Sequence, residues 1–125
     1  MDDKKKILVV DDEPEVLGLF QDLFTQRGYQ VECATNGIDA LESVSKTKVD
    51  AVLLDVRMPA MDGIETLATM KQERPEMRVV MFTAYGCDEN LISKTRELGA
   101  SGFISKNVPL TQIINNFLES ANLSV

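Results

Sequence analysis

Short apolar runs alternate along the chain with longer segments of helical spacing. Ile7 to Val10 (ILVV) reads as a first buried strand, ended by the successive acids Asp11, Asp12 and Glu13. Pro14 suits the first turn of a helix. Val16, Leu17, Phe20, Leu23 and Phe24 then recur at helical spacing until Gly28 supplies a stop. Gln30 to Ala34 (QVECA) alternates loosely and reads as a second strand; Asn36-Gly37 makes a turn, and Ile38, Leu41 and Val44 mark a second helix. Asp50 to Asp55 forms the third strand, in which an apolar run drives straight into a carboxylate before the chain breaks at Pro59 and Gly63. Ile64, Leu67, Ala68 and the stretch Met70 to Met77 suggest a third helix, stopped by Pro75. Val79 to Phe82 is a fourth strand ending at Thr83, and Leu91, Ile92, Thr95 and Leu98 outline a fourth helix ending at Gly99. Gly102 to Ser105 is a short fifth strand followed at once by Lys106. Pro109 opens a last helix carrying Ile113, Ile114, Phe117 and Leu118.

Five strands thus alternate with five helices, and apart from the loosely alternating QVECA the strands are apolar rather than polar on one side. A strand without alternation is covered on both faces, as in a parallel sheet. The pattern predicts a doubly wound α/β fold. With 125 residues and no linker or low-complexity tract, residues 1–125 are expected to form a single domain. The chain could stand alone or be cut from a longer protein with an output domain, and the reading leans slightly toward a single domain beginning at Met1.

Composition narrows the function classes. The net charge of -7 disfavours direct binding to nucleic acid phosphate or to an anionic membrane surface. No apolar run approaches the roughly 20 residues of a membrane span. The start, MDDKKK, has no apolar signal core, so a cytoplasmic location is expected. Cys33 and Cys87 match no metal or redox spacing and are expected to stay reduced. The absence of His removes imidazole bases, His metal ligands and a phosphohistidine relay from this chain.

The candidate chemistry lies at the carboxyl ends of the apolar runs. These ends share one edge of a parallel sheet, where open α/β sheets place their ligands. They deliver Asp11, Asp12 and Glu13, then Asp55, Thr83 and Lys106. Each has an ordinary role in isolation: a turn for Asp55, a helix N-cap for Thr83, a solvated charge for Lys106. Four strands each ending in a chemically competent residue form a more specific signal. Two carboxylates about 4 Å apart repel by roughly 4 kcal/mol at an effective dielectric near 20. A cluster of Asp11, Asp12 and Asp55 therefore calls for a cation, supplied in part by Lys106 and in part by a hard divalent ion such as Mg²⁺. A carboxylate beside such a cation can act as a nucleophile toward phosphorus, with Thr83 and Lys106 steadying the phosphoryl oxygens. The implied product is a transient aspartyl phosphate.

These residues resemble a receiver domain of a two-component response regulator, of the CheY-like, flavodoxin-type fold. The likeness runs from Ile7 to about Leu118. It is carried by Asp11-Asp12 after ILVV, LLDVRMPAMDG around Asp55, FTAYG at Thr83, and GFISK ending at Lys106. The resemblance implies a five-stranded sheet of order 2-1-3-4-5 and a phosphoacceptor at Asp55. It implies Mg²⁺ (or Mn²⁺) held by Asp11, Asp12, Asp55 and the Arg57 carbonyl, with Thr83 and Lys106 contacting the phosphoryl group. Phe103 matches the aromatic that swings inward as the Thr moves, for which core packing is the ordinary alternative. The implied partners are a sensor histidine kinase or phosphotransfer protein, and an output domain or target protein. The expected surface of change is helix four, strand five and helix five, including Ala84 to Lys94. The domain itself is expected to touch neither nucleic acid nor membrane, and to be a monomer, or a dimer once phosphorylated.

Two departures and two further positions stand out. Many receivers follow the Lys with Pro, whereas Lys106 is followed by Asn107, so the cis-proline turn of that pattern loses its proline. Gly99 to Ser101 and the last helix lack the charge pairs of one dimerising subfamily. The resemblance also places Arg57 and Tyr85, both bulky, beside the path of a hydrolytic water, which implies slow self-dephosphorylation. Other readings were a receiver-fold interaction module acting without phosphorylation, a flavin electron carrier and an Asp-nucleophile phosphatase. Against the last two stand the acidic loop after the first strand and the lack of room for a cap insertion.

Overall fold

The alternation runs as expected: β1 (Lys6–Val10), α1 (Pro14–Gln26), β2 (Gln30–Ala34), α2 (Gly37–Lys46), β3 (Ala51–Asp55), α3 (Gly63–Glu73), β4 (Arg78–Thr83), α4 (Glu89–Glu97), β5 (Gly102–Ser105) and α5 (Leu110–Ser120). The computed structural model describes residues 4–57, 62–83 and 89–123. Pro59, Ala84, Tyr85 and Cys87 lie outside the described residues.

All pairings are parallel, in the order β2-β1-β3-β4-β5, which is the doubly wound arrangement expected. The pleat divides the strand side chains between two cores. Ile7, Val9, Leu53, Val80, Phe82 and Ile104 pack on α1 and α5 through Phe20, Phe24 and Phe117. Leu8, Val10, Val52, Leu54, Val79 and Met81 pack on the other side against Ala40, Val44, Leu67 and Met70. β3 is buried at every position because it has strand neighbours on both edges and helices on both faces. β2 is only half-buried because it is an edge strand with β1 as its one neighbour, which is why its sequence alternates loosely.

Helix boundaries follow local chemistry. α1 ends at Gln26, and the turn that follows is completed by Gly28, whose φ of +91° suits glycine. Asn36 caps α2 by accepting the Asp39 N–H at 2.8 Å. That start sets the phase of the helix, so Gly37, Ala40 and Val44 turn inward while Ile38 stays 58% exposed. Of the three residues that marked this helix, Val44 is buried and Leu41 packs against the core, and Ile38 alone faces outward. α3 stops at Glu73, short of the stretch to Met77, because Arg74 leaves helical geometry ahead of Pro75. The Lys71 ammonium clasps that turn through the carbonyls of Pro75 and Met77, at 2.6 and 2.8 Å. β3 starts at Ala51, one residue later than expected, as the Asp50 carboxylate is engaged by the Lys6 N–H at 2.8 Å. No helix among the described residues is long and apolar enough to cross a membrane.

Candidate functional site

Register decides which residues meet. Val10 lies opposite Leu54 and Asp55 opposite Phe82, so Asp11 follows β1 at the level where Asp55 closes β3. Thr83 stands opposite Ser105, immediately before Lys106. The carboxyl edge therefore collects the acids, the hydroxyl and the ammonium that the sequence placed at separate strand ends.

Asp11 and Asp55 are both buried, and Asp12 is exposed beside them. One oxygen from each of the three carboxylates lies within 4.8 Å of the others. The Lys106 ammonium bridges the two buried acids, at 2.9 Å from Asp11 Oδ2 and 3.2 Å from Asp55 Oδ2. Remaining carboxylate capacity goes to the backbone: the Glu13 N–H donates to Asp11 Oδ1 at 2.9 Å, and the Arg57 N–H donates to Asp55 Oδ1 at 3.2 Å. No buried side-chain polar atom among the described residues lacks a partner.

Burial pushes the Asp55 carboxyl up to about 6; the Lys106 charge opposes that rise, and the Asp11 charge adds to it. The hydrogen bonds from Arg57 and Lys106 pull the other way. For Lys106, burial acts to lower the ammonium's pKa, but the hydrogen bond to Asp11 and the charges of Asp55 and Asp11 outweigh it, leaving it above the ordinary value. Asp55 is thus mostly ionised at neutral pH, and Lys106 stays charged.

The donor set fits a hard divalent cation. Three carboxylates against one ammonium leave a local charge near -2, presented by oxygen atoms only. Glu13, the third acid after β1, does not join the cluster; its backbone occupies the N-cap position of α1. Thr83 is buried at the end of β4, and its carbonyl accepts the Lys106 N–H at 2.7 Å. The Asn107 N–H donates to Ser105 Oγ at 3.1 Å, a bond that a proline there would forfeit, and among the described residues no peptide bond is cis.

Two participants were not visible in the sequence. The Phe82 ring lies beneath the Lys106 ammonium, 4.6 Å from nitrogen to centroid. Pleat parity puts Phe82 on the face shared by Leu53, Asp55 and Ile104, so an apparent core residue also supports the cation. Gly63, read as a chain break, packs directly on the backbone of Asp55 and Val56. Phe103 is half-buried on the opposite face, against the core that includes Leu91 and Leu98. It lines a cavity of about 130 Å³ with Ile92, Thr95 and Arg96. A cavity of about 500 Å³ lies elsewhere, at the amino-terminal edge of the sheet between Ser45–Asp50 and Arg74–Met77.

A parallel sheet of this order with an acidic, lysine-bridged carboxyl edge defines the class: a CheY-like, flavodoxin-type signalling fold. The family model for the response regulator receiver domain matches residues 7–118, and the chain belongs to that family. It is 41% identical over 109 residues to the sporulation initiation phosphotransferase F of Bacillus subtilis, covering 87% of each protein. It is 35% identical over 118 residues to the transcriptional regulatory protein GlrR of Escherichia coli, covering 92% of this chain but 26% of that protein. The crystal structure of a CheX–CheY–BeF3–Mg²⁺ complex from Borrelia burgdorferi superposes with a TM-score of 0.86 at 28% identity, over 92% of this chain and 87% of that one.

The chain is therefore a receiver domain homologous to two-component response regulators, a phosphorylation-dependent signalling switch. Receiver domains are regulatory phosphoacceptor domains rather than metabolic enzymes, and they bind Mg²⁺ through acidic residues. They interact with histidine kinases or phosphotransfer proteins and with output domains. The electron-carrier and phosphatase readings fall with the family assignment, and the phosphorylation-independent reading is not favoured.

Proposed function

We propose that Asp55 accepts a phosphoryl group from a phosphohistidine of a partner kinase or phosphotransfer protein. The observation that carries this is the Lys106 ammonium held between Asp11 and Asp55 at a buried, otherwise acidic sheet edge. An Asp55 carboxylate oxygen attacks phosphorus, the P–N bond to imidazole breaks, and a P–O bond forms on Asp55. The released imidazole takes its proton from solvent. Asp11, Asp12, Asp55 and the Arg57 carbonyl would hold Mg²⁺ (or Mn²⁺). When bound, the ion offsets negative charge on the transferring phosphoryl oxygens. Lys106 pairs with the same group, and the Thr83 hydroxyl donates to one of its oxygens.

The switch runs through the opposite face. Pleat parity puts Thr83 on the face of Met81, and Met81 pairs with Phe103. A Thr83 side chain drawn toward the phosphoryl group frees space near Phe103, whose inward turn alters the surface of α4, β5 and α5. That surface acts on an output domain or a separate target. Residues 1–125 serve as a single, cytoplasmic receiver domain, monomeric or dimerising on phosphorylation.

Intact mass after incubation with Mg²⁺ and acetyl phosphate tests the proposal, with Asp55→Asn alongside. One added phosphoryl group, roughly 80 Da for HPO₃, is expected in the native protein only, and only with Mg²⁺. A folded native protein that binds Mg²⁺ yet gains no mass would overturn it.

The lifetime of that adduct is a second outcome. Arg57 is exposed next to Asp55, with its N–H on the carboxylate. Together with Tyr85, which lies outside the described residues, it is expected to screen the phosphoryl group from in-line water. Replacing both with Ala should shorten the adduct's half-life several-fold, read by mass decay after the donor is removed. An unchanged half-life assigns both side chains some other role.

A further inference from the structure

We infer that Gly63 is a positioning residue for the phosphoacceptor and its metal ligands, an inference that rests on the function proposed above. Gly63 is the first residue of α3 and is buried. A β-carbon at this position would overlap the Asp55 carbonyl oxygen and would lie 2.7 Å from Val56 Cα and 3.0 Å from the Asp55 carbonyl carbon. All three are backbone atoms of the strand end that bears the nucleophile. A clash with a flexible side chain is relieved by a rotamer change; a clash with backbone is relieved only by moving the peptide or the helix.

The contact is also a bond. The Gly63 N–H donates to the Val56 carbonyl at 2.9 Å, joining the start of α3 to the peptide that follows Asp55. Asp62 fixes that start by accepting the Glu65 N–H at 2.8 Å, as an N-cap. On the strand side, the Arg57 N–H holds Asp55 Oδ1 at 3.2 Å. Displacing the Asp55–Val56 peptide therefore shifts the Asp55 carboxylate and the Arg57 carbonyl together, two of the four groups proposed to hold the ion. Mg²⁺ requires near-ideal octahedral geometry with oxygens at about 2.0–2.1 Å, so a shift of a few tenths of an ångström degrades the site. By helix propensity alone alanine would be the better residue here. The glycine is explained by the approach to Asp55 and Val56, not by α3.

The test compares Mg²⁺ affinity, measured by calorimetry on the whole folded chain, in the native protein, Gly63→Ala and Gly102→Ala. Gly102 is the control for a tightly packed glycine remote from the acids, since its added β-carbon would press on the Ser120 side chain, with Oγ at 2.7 Å, at the start of β5. The expected result is at least a tenfold loss of Mg²⁺ affinity in Gly63→Ala and less than a twofold change in Gly102→Ala, whatever their relative stabilities. Equal affinities in the native protein and folded Gly63→Ala would overturn the inference. No Mg²⁺ binding by the native protein would instead overturn the proposed function. Should Gly63→Ala fail to fold, hydrogen exchange on the native protein decides. Mg²⁺ is expected to slow exchange of the Gly63 amide at least threefold, and an unchanged rate removes the link.

Discussion

Replacing Lys106 with Met should slow phosphorylation of Asp55 by about 10²–10³-fold, the usual cost of removing one preorganised group that stabilises transition-state charge. Methionine keeps much of the length and packing of the stem while deleting the ammonium. The loss has a second component, because Lys106 is also the counter-ion of the metal-free site. It bridges the Asp11 and Asp55 carboxylates at 2.9 and 3.2 Å, and both acids are buried. Removing one partner of a buried ionic cluster typically costs about 3–5 kcal/mol. The metal-free Met variant should therefore unfold at markedly lower urea concentration. Part of that stability should return on adding Mg²⁺, since a divalent ion takes over the charge that the ammonium offset. Urea titrations with and without Mg²⁺, beside acetyl phosphate labelling rates by mass, check both components. A variant labelled within about threefold of the native rate would remove Lys106 from the chemistry, on the same scale of effects.

Asp55→Asn should make the metal-free protein more stable than the native one above pH 6, although the proposed mechanism has it lose phosphorylation. Burial raises the Asp55 carboxyl from 3.8 to about 6, ahead of the opposing Lys106 charge. A group whose folded pKa is raised stabilises the fold fully below its unfolded value and loses that contribution as pH rises through the folded value. Asp55 thus contributes most below about pH 4, and its contribution disappears between pH 4 and about 6. The rise from 3.8 to about 6 corresponds to about 3 kcal/mol. Asparagine carries no charge at any pH and escapes this loss. The stability difference should therefore be small at pH 4, grow toward pH 6 and level off beyond it. Mg²⁺ should cancel most of the difference at 100 Kd, where it adds about 2.7 kcal/mol to the native protein, and reverse the order near 1,000 Kd, where it adds about 4.1 kcal/mol. Thermal or urea unfolding at pH 4, 6 and 8 in chelator and then in Mg²⁺ measures all of this. A pH-independent difference would mean that Asp55 does not carry the titration.

The two variants separate the roles that the site combines. In the proposed mechanism Lys106 serves both the resting fold and the reaction, so its loss should harm both. In the same mechanism Asp55 serves the reaction at the expense of the fold, so its neutralisation should stabilise the metal-free domain. Such a trade-off is expected where like charges are gathered for function.

Much of this protein was legible in the sequence because the signals were local. Apolar runs without alternation in ILVV and AVLL marked strands covered on both faces, and Pro14, Gly28 and Gly99 marked helix boundaries. The residue that ends each run could be listed as chemistry at one sheet edge because parallel strands all present their carboxyl ends on the same side. What the sequence left open depended on relations between elements. Packing of α2 on the sheet through Ala40 and Val44 left Ile38 facing outward against expectation. Register set the level of Asp11 against Asp55, and only the packed structure put one ammonium between both carboxylates. Phe82 beneath Lys106 and Gly63 against the Asp55–Val56 peptide belong to the same category. In each case the partners are separated along the chain and their contact is fixed by pleat parity or by the close approach of a helix end to a strand. The sequence determined which chemical groups reach the edge, because strand and helix propensity are local properties. The tertiary structure decided how those groups share charge, because burial and distance exist only once the sheet is assembled.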